Sequence, residues 1–414
     1  MKVAYISVRY GPQIHGGAEQ ACRQLAEHLA GAGIAVDVHT TCATDATTWT
    51  DDLPPGTTTE QGVVVHRHRV VSGRDPDFDR FSGTVFGTPT PPSRAQQRRW
   101  LELQGPVCPD AVEGAVTGGA DLVVATPYLF WPTVEATRRS SRVVLHPAAH
   151  DEAPIHLPVI AEAFAAARGL AYYTDGERRL VERLWPRITS TPQTVVGLGV
   201  DPDAGAGADD ARFRDRWGLS DRPYLLYVGR VDDGKGVALL GSFFAAYKRR
   251  RPGPLALVIV GTVVNQPAPH PDVIVTGPVS EPDKWDAIAG AALFVNPSAN
   301  ESFSIVLLEA WSLRRPVLVN ARCPATTEHT RRSGGGVAFS GYATFETAVE
   351  RIVADRSLAD ALGAAGRAYV VDNFAWPVVT ARYRSWLERV AETVRSEPTG
   401  SEGSTSRSTT LDHP

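Results

Sequence analysis

Short apolar runs separated by longer amphipathic stretches recur along most of this chain. The runs Val3–Val8, Val36–Thr41, Val63–His68, Leu122–Thr126, Val143–Leu145, Ala171–Tyr173 and Thr194–Val196 read as strands. Helical spacing fills several intervals, as at Glu19–Ala30, Pro158–Ala167 and Gly176–Trp185. Apolar strands alternating with helices predict a parallel sheet covered on both faces. A second series then begins. Its strands are Tyr224–Val228, Leu255–Val260, Val273–Thr276, Ala292–Val295 and Val317–Val319, and its helices are Gly236–Arg250, Asp283–Ala289, Ser304–Leu313 and Ala343–Ala354. The expected class is α/β, with two Rossmann-like doubly wound domains facing across a cleft and ligands at the carboxyl ends of the strands.

The expected boundaries are residues 1–200 for the first domain, 201–221 for a linker and 222–375 for the second domain. Gly, Ala, Asp and Pro crowd the start of the linker, Asp201–Asp210. Ser72–Pro92, rich in Gly, Pro and Asp, reads as a long loop. Pro377 breaks a terminal helix whose body is Val378–Val394. The Ser/Thr/Gly/Glu-rich tail, 396–414, is expected to be disordered.

At 414 residues the chain has room for two domains of roughly 150–200 residues each. A net charge of -4 gives no reason to expect nucleic acid. Cys22, Cys42, Cys108 and Cys323 are scattered without Cys-x-x-Cys spacing, which argues against zinc and disulfide frameworks and fits a reducing cytoplasm. Met1–Val8 runs straight into a strand, unlike a signal peptide, and the longest apolar run, about Leu255–Val264, is too short to span a bilayer. A soluble cytoplasmic protein is expected. Arginine is the default cation, because Lys2, Lys235, Lys248 and Lys284 are the only lysines. That usage suggests a GC-rich bacterial source, and it makes a lysine in a glycine-rich loop unlikely to be casual. The basic run Lys248–Arg251 reads as a solvated helix end, with a weak membrane-surface patch as the alternative.

Three segments carry candidate chemistry. The first is Asn296-Pro-Ser-Ala-Asn-Glu301-Ser-Phe-Ser-Ile-Val-Leu-Leu-Glu309-Ala-Trp311. It reads as a turn leading into a helix that is apolar nearly all round, so Glu309 in its middle needs a specific partner. Glu301 stands at the mouth of that helix, where free N–H groups and the dipole favour an anion. A core helix whose glutamate finds an arginine is the plainer reading. The second is Gly229-Arg230-Val-Asp-Asp-Gly234-Lys235-Gly236, a strand-to-helix turn whose glycines admit a phosphate and whose Arg230 and Lys235 supply charge. The plainer reading is a turn with solvated cations. The third is the turn after the first strand, Tyr10 to Glu19, where Gly16 and Gly17 would let a phosphate or sugar approach a helix N-terminus; an ordinary tight turn is the alternative. Neither first strand is followed by the Gly-x-Gly-x-x-Gly of a dinucleotide enzyme.

A further loop, Leu145-His146-Pro-Ala-Ala-His150-Asp151-Glu152-Ala-Pro-Ile-His156, invites a metal reading. Its prolines keep the histidines off one helical face, so a substrate-contacting loop is favoured over a metal site or an unspecialised polar loop. Asp75-Pro-Asp77 lies in the long loop and reads as ordinary acidic surface, and Arg331–Gly336 reads as a turn near a base-binding end or a helix C-cap.

Glu301 and Glu309, eight apart, and the wording Glu-Ser-Phe-Ser-Ile-Val-Leu-Leu-Glu-Ala resemble the signature of the retaining GT4 glycosyltransferases, which have the GT-B fold, with Ser302 and Ser304 in place of commoner glycines. The Gly-Arg…Lys-Gly wording at Gly229–Gly236 resembles the same family. The resemblance covers Met1 to about Val394, is strongest over Tyr224–Leu313 and is looser over Arg69–Glu113. It implies sugar transfer from a nucleotide-diphosphate sugar to the hydroxyl of a small-molecule or glycan acceptor, with retention and without a metal or other cofactor. It implies that Arg230, Lys235 and the N–H groups of Phe303, Ser304 and Ile305 hold the diphosphate. Glu309 would take the ribose, Glu301 the donor-sugar hydroxyls, and His150 the sugar from the first domain. Gly16 and Gly17 would face the diphosphate and acceptor, Asp151 would lie beside the sugar, and a terminal helix at 376–395 would rejoin the first domain. Acceptor choice is expected in Ser72–Pro92 and Pro127–Pro132, with Tyr128 and Trp131 among the aromatics that could stack on a ring. The rivals are a sugar-nucleotide hydrolase or epimerase of the same fold and a non-catalytic nucleotide-sugar-binding protein.

Overall fold

A computed structural model describes residues 1–14 and 16–396. Apart from Ser396, the tail expected to be disordered lies outside the described residues. The chain divides into two compact units, one of Met1–Gly197 together with the chain from Thr380 onward, the other of Leu198–Val379.

The first unit holds an eight-stranded sheet. Its strands are β1 (Lys2–Ser7), β2 (Ala35–Thr41), β3 (Gly56–Glu60), β4 (Val63–His68), β5 (Leu122–Thr126), β6 (Val143–Leu145), β7 (Gly169–Tyr172) and β8 (Gln193–Val195), in the order β3-β4-β2-β1-β5-β6-β7-β8. All neighbours are parallel except β3, which runs antiparallel to β4. The central strand β1 is apolar on both faces, with Val3, Ala4, Tyr5 and Ile6 buried, as a doubly covered strand must be.

The second unit holds a six-stranded, all-parallel sheet. It comprises β9 (Tyr224–Val228), β10 (Ala256–Val260), β11 (Val273–Gly277), β12 (Leu293–Asn296), β13 (Val317–Asn320) and β14 (Gly336–Phe339), ordered β11-β10-β9-β12-β13-β14. In each unit the chain winds outward from its first strand, then returns to that strand's other side. The reversals fall between β1 and β5 and between β9 and β12, and such switch points open a crevice at the strands' carboxyl ends.

Several elements differ from their sequence reading. The long loop at Ser72–Pro92 contains the helix Phe78–Phe86, whose Phe78 and Val85 are buried and whose Phe86 ring meets Trp100 edge-on. Its helical spacing is real, but Gly, Pro and Asp on either side conceal it. The linker carries the helix Asp210–Trp217, capped by Asp209 and anchored by buried Phe213 and an Arg212–Asp286 pair at 2.8 Å. Strand β3, Gly-Thr-Thr-Thr-Glu, has no apolar residue to announce it and forms by pairing with β4. Lys248 is not a solvated cation: it is buried against Leu255 O at 3.0 Å and Asp272 at 3.1 Å, while Arg250 pairs with Glu346 at 2.9 Å. Pro377 begins the helix Trp376–Ser396 instead of breaking it, because a first-turn proline sacrifices no helical N–H. From Thr380 that helix belongs to the first unit, where Tyr383, Trp386, Leu387 and Val390 are buried and Arg382 donates to Val196 O at 2.9 Å.

Glycines in the helix Arg356–Phe374 mark a close approach: a Cβ at Gly366 would overlap the Trp311 ring, and one at Gly363 would overlap the Arg314 carbonyl. Gly366→Ala is therefore expected to lower stability by about 1–3 kcal/mol in urea titration despite alanine's helix propensity. Gly241→Ala, in the helix Val237–Arg250 with open space around it, is expected to raise stability by up to about 1 kcal/mol.

Candidate active site

In the second unit the loops after β9, β12 and β13 lock together. After β9, Asp232 caps a single turn of 3-10 helix, accepting from Lys235 N at 2.9 Å. Gly236 then takes φ +71, and a Cβ there would stand 2.6 Å from the Pro297 carbonyl, so this turn demands glycine on two counts. After β12, Asn296 Nδ2 donates to Ser304 Oγ at 2.8 Å while its Oδ1 accepts from Ser298 N at 3.0 Å. Asn320, at the end of β13, donates to the same Pro297 carbonyl at 2.9 Å.

This framework brings the two motifs together. Lys235 Nζ donates to Glu301 Oε1 at 2.9 Å across 66 residues of sequence. Arg230, largely exposed, is folded onto Asp232. Burial opposes ionisation of Asp232, but Arg230 and the Lys235 N–H hold its carboxyl below the usual range. Each cation expected to meet a phosphate is thus balanced by a carboxylate. Ser304 is the residue before the helix Ile305–Ser312 and takes φ 68, ψ 72, a left-handed conformation that costs a non-glycine residue roughly 1 kcal/mol or more. This is one of the two positions where the resembling family commonly has glycine. The Phe303 ring is buried edge-on against His329 at 5.0 Å and Phe374 at 5.5 Å.

Glu309 is 8% exposed, and its partner is a lysine, not an arginine: Lys284 Nζ lies 2.7 Å from Oε1. Among the described residues, its other oxygen, Oε2, is buried without a hydrogen-bond partner. Burial raises the Glu309 carboxyl above its ordinary range against the pull of Lys284.

In the first unit, Arg9, two residues beyond β1, reaches Glu19 in the first turn of the helix Gly17–Gly31, with Nη2 2.5 Å from Oε1. A Cβ at Gly16 would overlap that carboxylate, whereas among the described residues nothing lies within 4 Å of one at Gly17. The Arg9–Glu19 pair therefore sets the turn that Gly16 occupies, and the sequence reading did not single it out. In the histidine loop the three rings go separate ways. His146 is buried, stacks on Tyr173 at 4.2 Å and is pushed down to about 3 by burial; it is a core residue. His156 pairs with Asp151 at 3.1 Å near the surface, and His150 is half-buried. Tyr128 is 2% exposed with its hydroxyl donated to Glu152 at 2.8 Å, so it braces this loop and cannot stack on an acceptor. Trp131, half-buried, lines a groove of about 240 Å³ with Leu101, Val134 and Val159.

Glu177 holds the histidine loop from behind. Its carboxylate accepts from Ala149 N and from Tyr173 N, each at 2.7 Å, and Thr174 caps its helix. Ala148, two residues before His150, sits at φ 57. Burial pushes the Glu177 carboxyl up to about 7 even though these N–H groups favour its ionised form. The signal for it was a helix start, Thr-Asp-Gly-Glu, whose glutamate at the third helical position could have been flagged.

Elsewhere, donor atoms of Asp37, His39 and His66 on β2 and β4 lie within 4.8 Å of one another, a spacing that could hold a metal. Lys2 already stands 2.7 Å from Asp37, and His39 Nδ1 lies 3.2 Å from His68 Nε2.

Residues 222–355 match the family model described as Glycosyl transferases group 1. The chain is 36% identical over 131 residues to an alpha-D-kanosaminyltransferase of Streptomyces kanamyceticus, covering 28% of this chain and 33% of that one. It is 30% identical over 208 residues to a GDP-mannose-dependent alpha-(1-6)-phosphatidylinositol monomannoside mannosyltransferase of Mycolicibacterium smegmatis, covering 46% and 54%. The matched parts thus span between a third and about half of these relatives. Among solved structures, sucrose-phosphate synthase from Thermosynechococcus elongatus superposes with a TM-score of 0.68 at 19% identity, covering 95% of this chain and 99% of that one. Anabaena Alr3699/HepE in complex with UDP and glucose gives 0.64 at 15%, covering 96% and 100%. Among the described residues, no helix is long and apolar enough to cross a membrane.

The raised Glu177 has a measurable consequence. An ordinary carboxyl releases its proton near 4.3, so between there and about 7 the folded chain binds a proton that the unfolded chain does not. Stability associated with Glu177 is present below the lower value and is lost as pH rises through the higher one. Between pH 5 and pH 8, wild type is expected to lose about 2–3 kcal/mol more stability in urea titration than Glu177→Gln. Equal losses would remove the assignment.

Proposed function

We infer a glycosyltransferase from the GT-B fold and from residues 222–355, which match the group 1 glycosyltransferase model. We propose that the protein is a retaining glycosyltransferase that moves a sugar from a nucleoside-diphosphate sugar to an acceptor hydroxyl, using side-chain cations and no metal. The observation that carries the reading is the 2.9 Å contact of Lys235 with Glu301, which joins the Gly-Arg…Lys-Gly turn to the two-glutamate segment at one switch point.

The chemistry follows from charge. Breaking the sugar–phosphate bond builds negative charge on the leaving diphosphate and positive character at the anomeric carbon. Lys235 and Arg230, exchanging their carboxylate partners for phosphate oxygens, stabilise the leaving group together with the N–H groups of Phe303, Ser304 and Ile305. Such preorganised donors are each worth roughly 3–4 kcal/mol of barrier. Glu301, released by Lys235, accepts from donor-sugar hydroxyls, and the unpartnered Oε2 of Glu309 accepts from the ribose. By the resemblance, Gly16 and Gly17 are candidates for the diphosphate, His150 and Asp151 for the sugar, and Trp131 for the acceptor. In front-face attack the leaving phosphate takes the acceptor's proton and the anomeric configuration is retained. The donor is GDP-linked or UDP-linked in this reading: one relative is named GDP-mannose-dependent, and the solved neighbour holds UDP and glucose.

Thermal unfolding with UDP, GDP, dTDP, ADP and NAD tests this. One nucleoside diphosphate, at about 100 times its dissociation constant, is expected to stabilise wild type by roughly 2.7 kcal/mol, and Lys235→Ala to abolish the effect. Stabilisation by NAD alone, or by none of the five, would sink the reading. Turnover of donor at full rate without acceptor would favour a hydrolase instead.

A further inference from the structure

Lys284 lies outside both sequence motifs, yet it is tied to the second of them. Its Nζ is 2.7 Å from Glu309 Oε1 and 2.7 Å from Glu281 Oε1, and it sits 5.0 Å from the centre of the Trp285 ring. Glu281 is largely exposed, whereas Glu309 is nearly enclosed, so the two carboxylates contribute unequally. A surface pair is worth little, while a buried carboxylate without its cation is costly. The lysine also holds only one of Glu309's two oxygens, leaving Oε2 buried and, among the described residues, unpartnered.

Resting on the function proposed above, we infer that Lys284 is a positioning residue for the nucleotide: it keeps Glu309 ionised and fixes its rotamer, so that Oε2 is presented as an acceptor for ribose hydroxyls. The arrangement divides labour between the two oxygens. Oε1 takes the permanent cation, and Oε2 stays free for the ligand. An ionised acceptor makes a stronger hydrogen bond to a hydroxyl than a neutral one, and it cannot turn a proton of its own toward the ligand. Burial raises the Glu309 carboxyl, and Glu281 adds to this, so without Lys284 the side chain would take up a proton more readily. Burial alone would discharge Lys284, but Glu309 and Glu281 together hold it above the ordinary lysine range, so it is charged at neutral pH.

The choice of lysine supports the assignment. In a chain whose default cation is arginine, this position carries one of four lysines. An arginine would offer a planar fork able to engage both carboxylate oxygens, whereas an ammonium engages one as a point charge. The lysine therefore leaves Oε2 unoccupied where an arginine could close it.

The test measures calorimetric affinities for UDP, GDP and their 2′,3′-dideoxy counterparts in wild type, Lys284→Met, Lys284→Arg and Lys284→Met/Glu309→Gln. For whichever ribonucleotide binds wild type, Lys284→Met is expected to weaken affinity by roughly tenfold and to leave the dideoxy form within about twofold. The double variant should fall no further than Lys284→Met, because the two residues act as one unit. Lys284→Arg should also weaken the ribonucleotide selectively, through occupation of Oε2. Equal loss for ribo and dideoxy forms, indicating a purely structural role, would overturn the inference, as would unchanged affinity in Lys284→Met. Failure of every nucleotide to bind wild type would instead overturn the function on which the inference rests.

Discussion

Parallel strands can be joined only by crossovers, and the crossovers cover both faces of the sheet, so every strand-to-helix loop emerges at the same end. That constraint builds the candidate site in the second unit. The loops after β9, β12 and β13 are remote in sequence but have nowhere else to go. Once side by side they share a single carbonyl: Pro297 O accepts from Asn320 and excludes any side chain at position 236. Lys235 and Glu301 meet because their loops are neighbours at the switch point, where the chain reverses its direction of winding.

Two glutamates eight residues apart then face different physical problems. Glu301, at the helix mouth, pairs with a lysine that is itself a third exposed, so the pair can separate at modest cost and both partners can change ligands. Glu309 is enclosed, and its pairing with Lys284 is the condition for carrying charge there at all. One pair is suited to exchange and the other to permanence. Both use lysine in a chain of arginines, where a compact point charge leaves a carboxylate oxygen free.

The apolar periodicity was enough to place all six strands of the second unit but β14, and seven of eight in the first, because buried parallel strands must be nearly continuous apolar runs. The elements it did not reveal are those whose stability comes from elsewhere. Strand β3 depends on pairing with β4, the helix Phe78–Phe86 on packing against Trp100, and the helix Asp210–Trp217 on an anchor to Asp286. At the site, residue type and spacing indicated Arg230, Lys235, Glu301 and Glu309, since phosphate chemistry demands glycine with cations and a buried acid demands a partner. The partner's identity was not legible, because Lys284 comes from a different helix. Tyr128 was misjudged for the same reason: an aromatic in a loop looks available until its ring is seen buried and its hydroxyl bonded to Glu152.

Of the buried carboxylates among the described residues, Glu19, Glu309 and Glu177 are accommodated in three different ways, and the differences bear on what each can do. Glu19 has a guanidinium, Arg9, which also reaches the Thr44 carbonyl; the charge is fully matched and the pair serves as a rigid wall for the Gly16 turn. Glu309 has an ammonium on one oxygen only and keeps the other as an unused acceptor. Glu177 has main-chain N–H groups and, among the described residues, no paired cation, so it ties Ala149 to Tyr173 and holds the His150 loop, but its charge is not neutralised. Dipoles without a formal counter-charge do not offset full burial, which is why this carboxyl is pushed up to about 7 while its hydrogen bonds remain intact. Fully buried and without a counter-charge, Glu177 is thus poised to change protonation near neutrality. The first unit therefore places a carboxyl pushed up to about 7 in the support of the loop that presents His150.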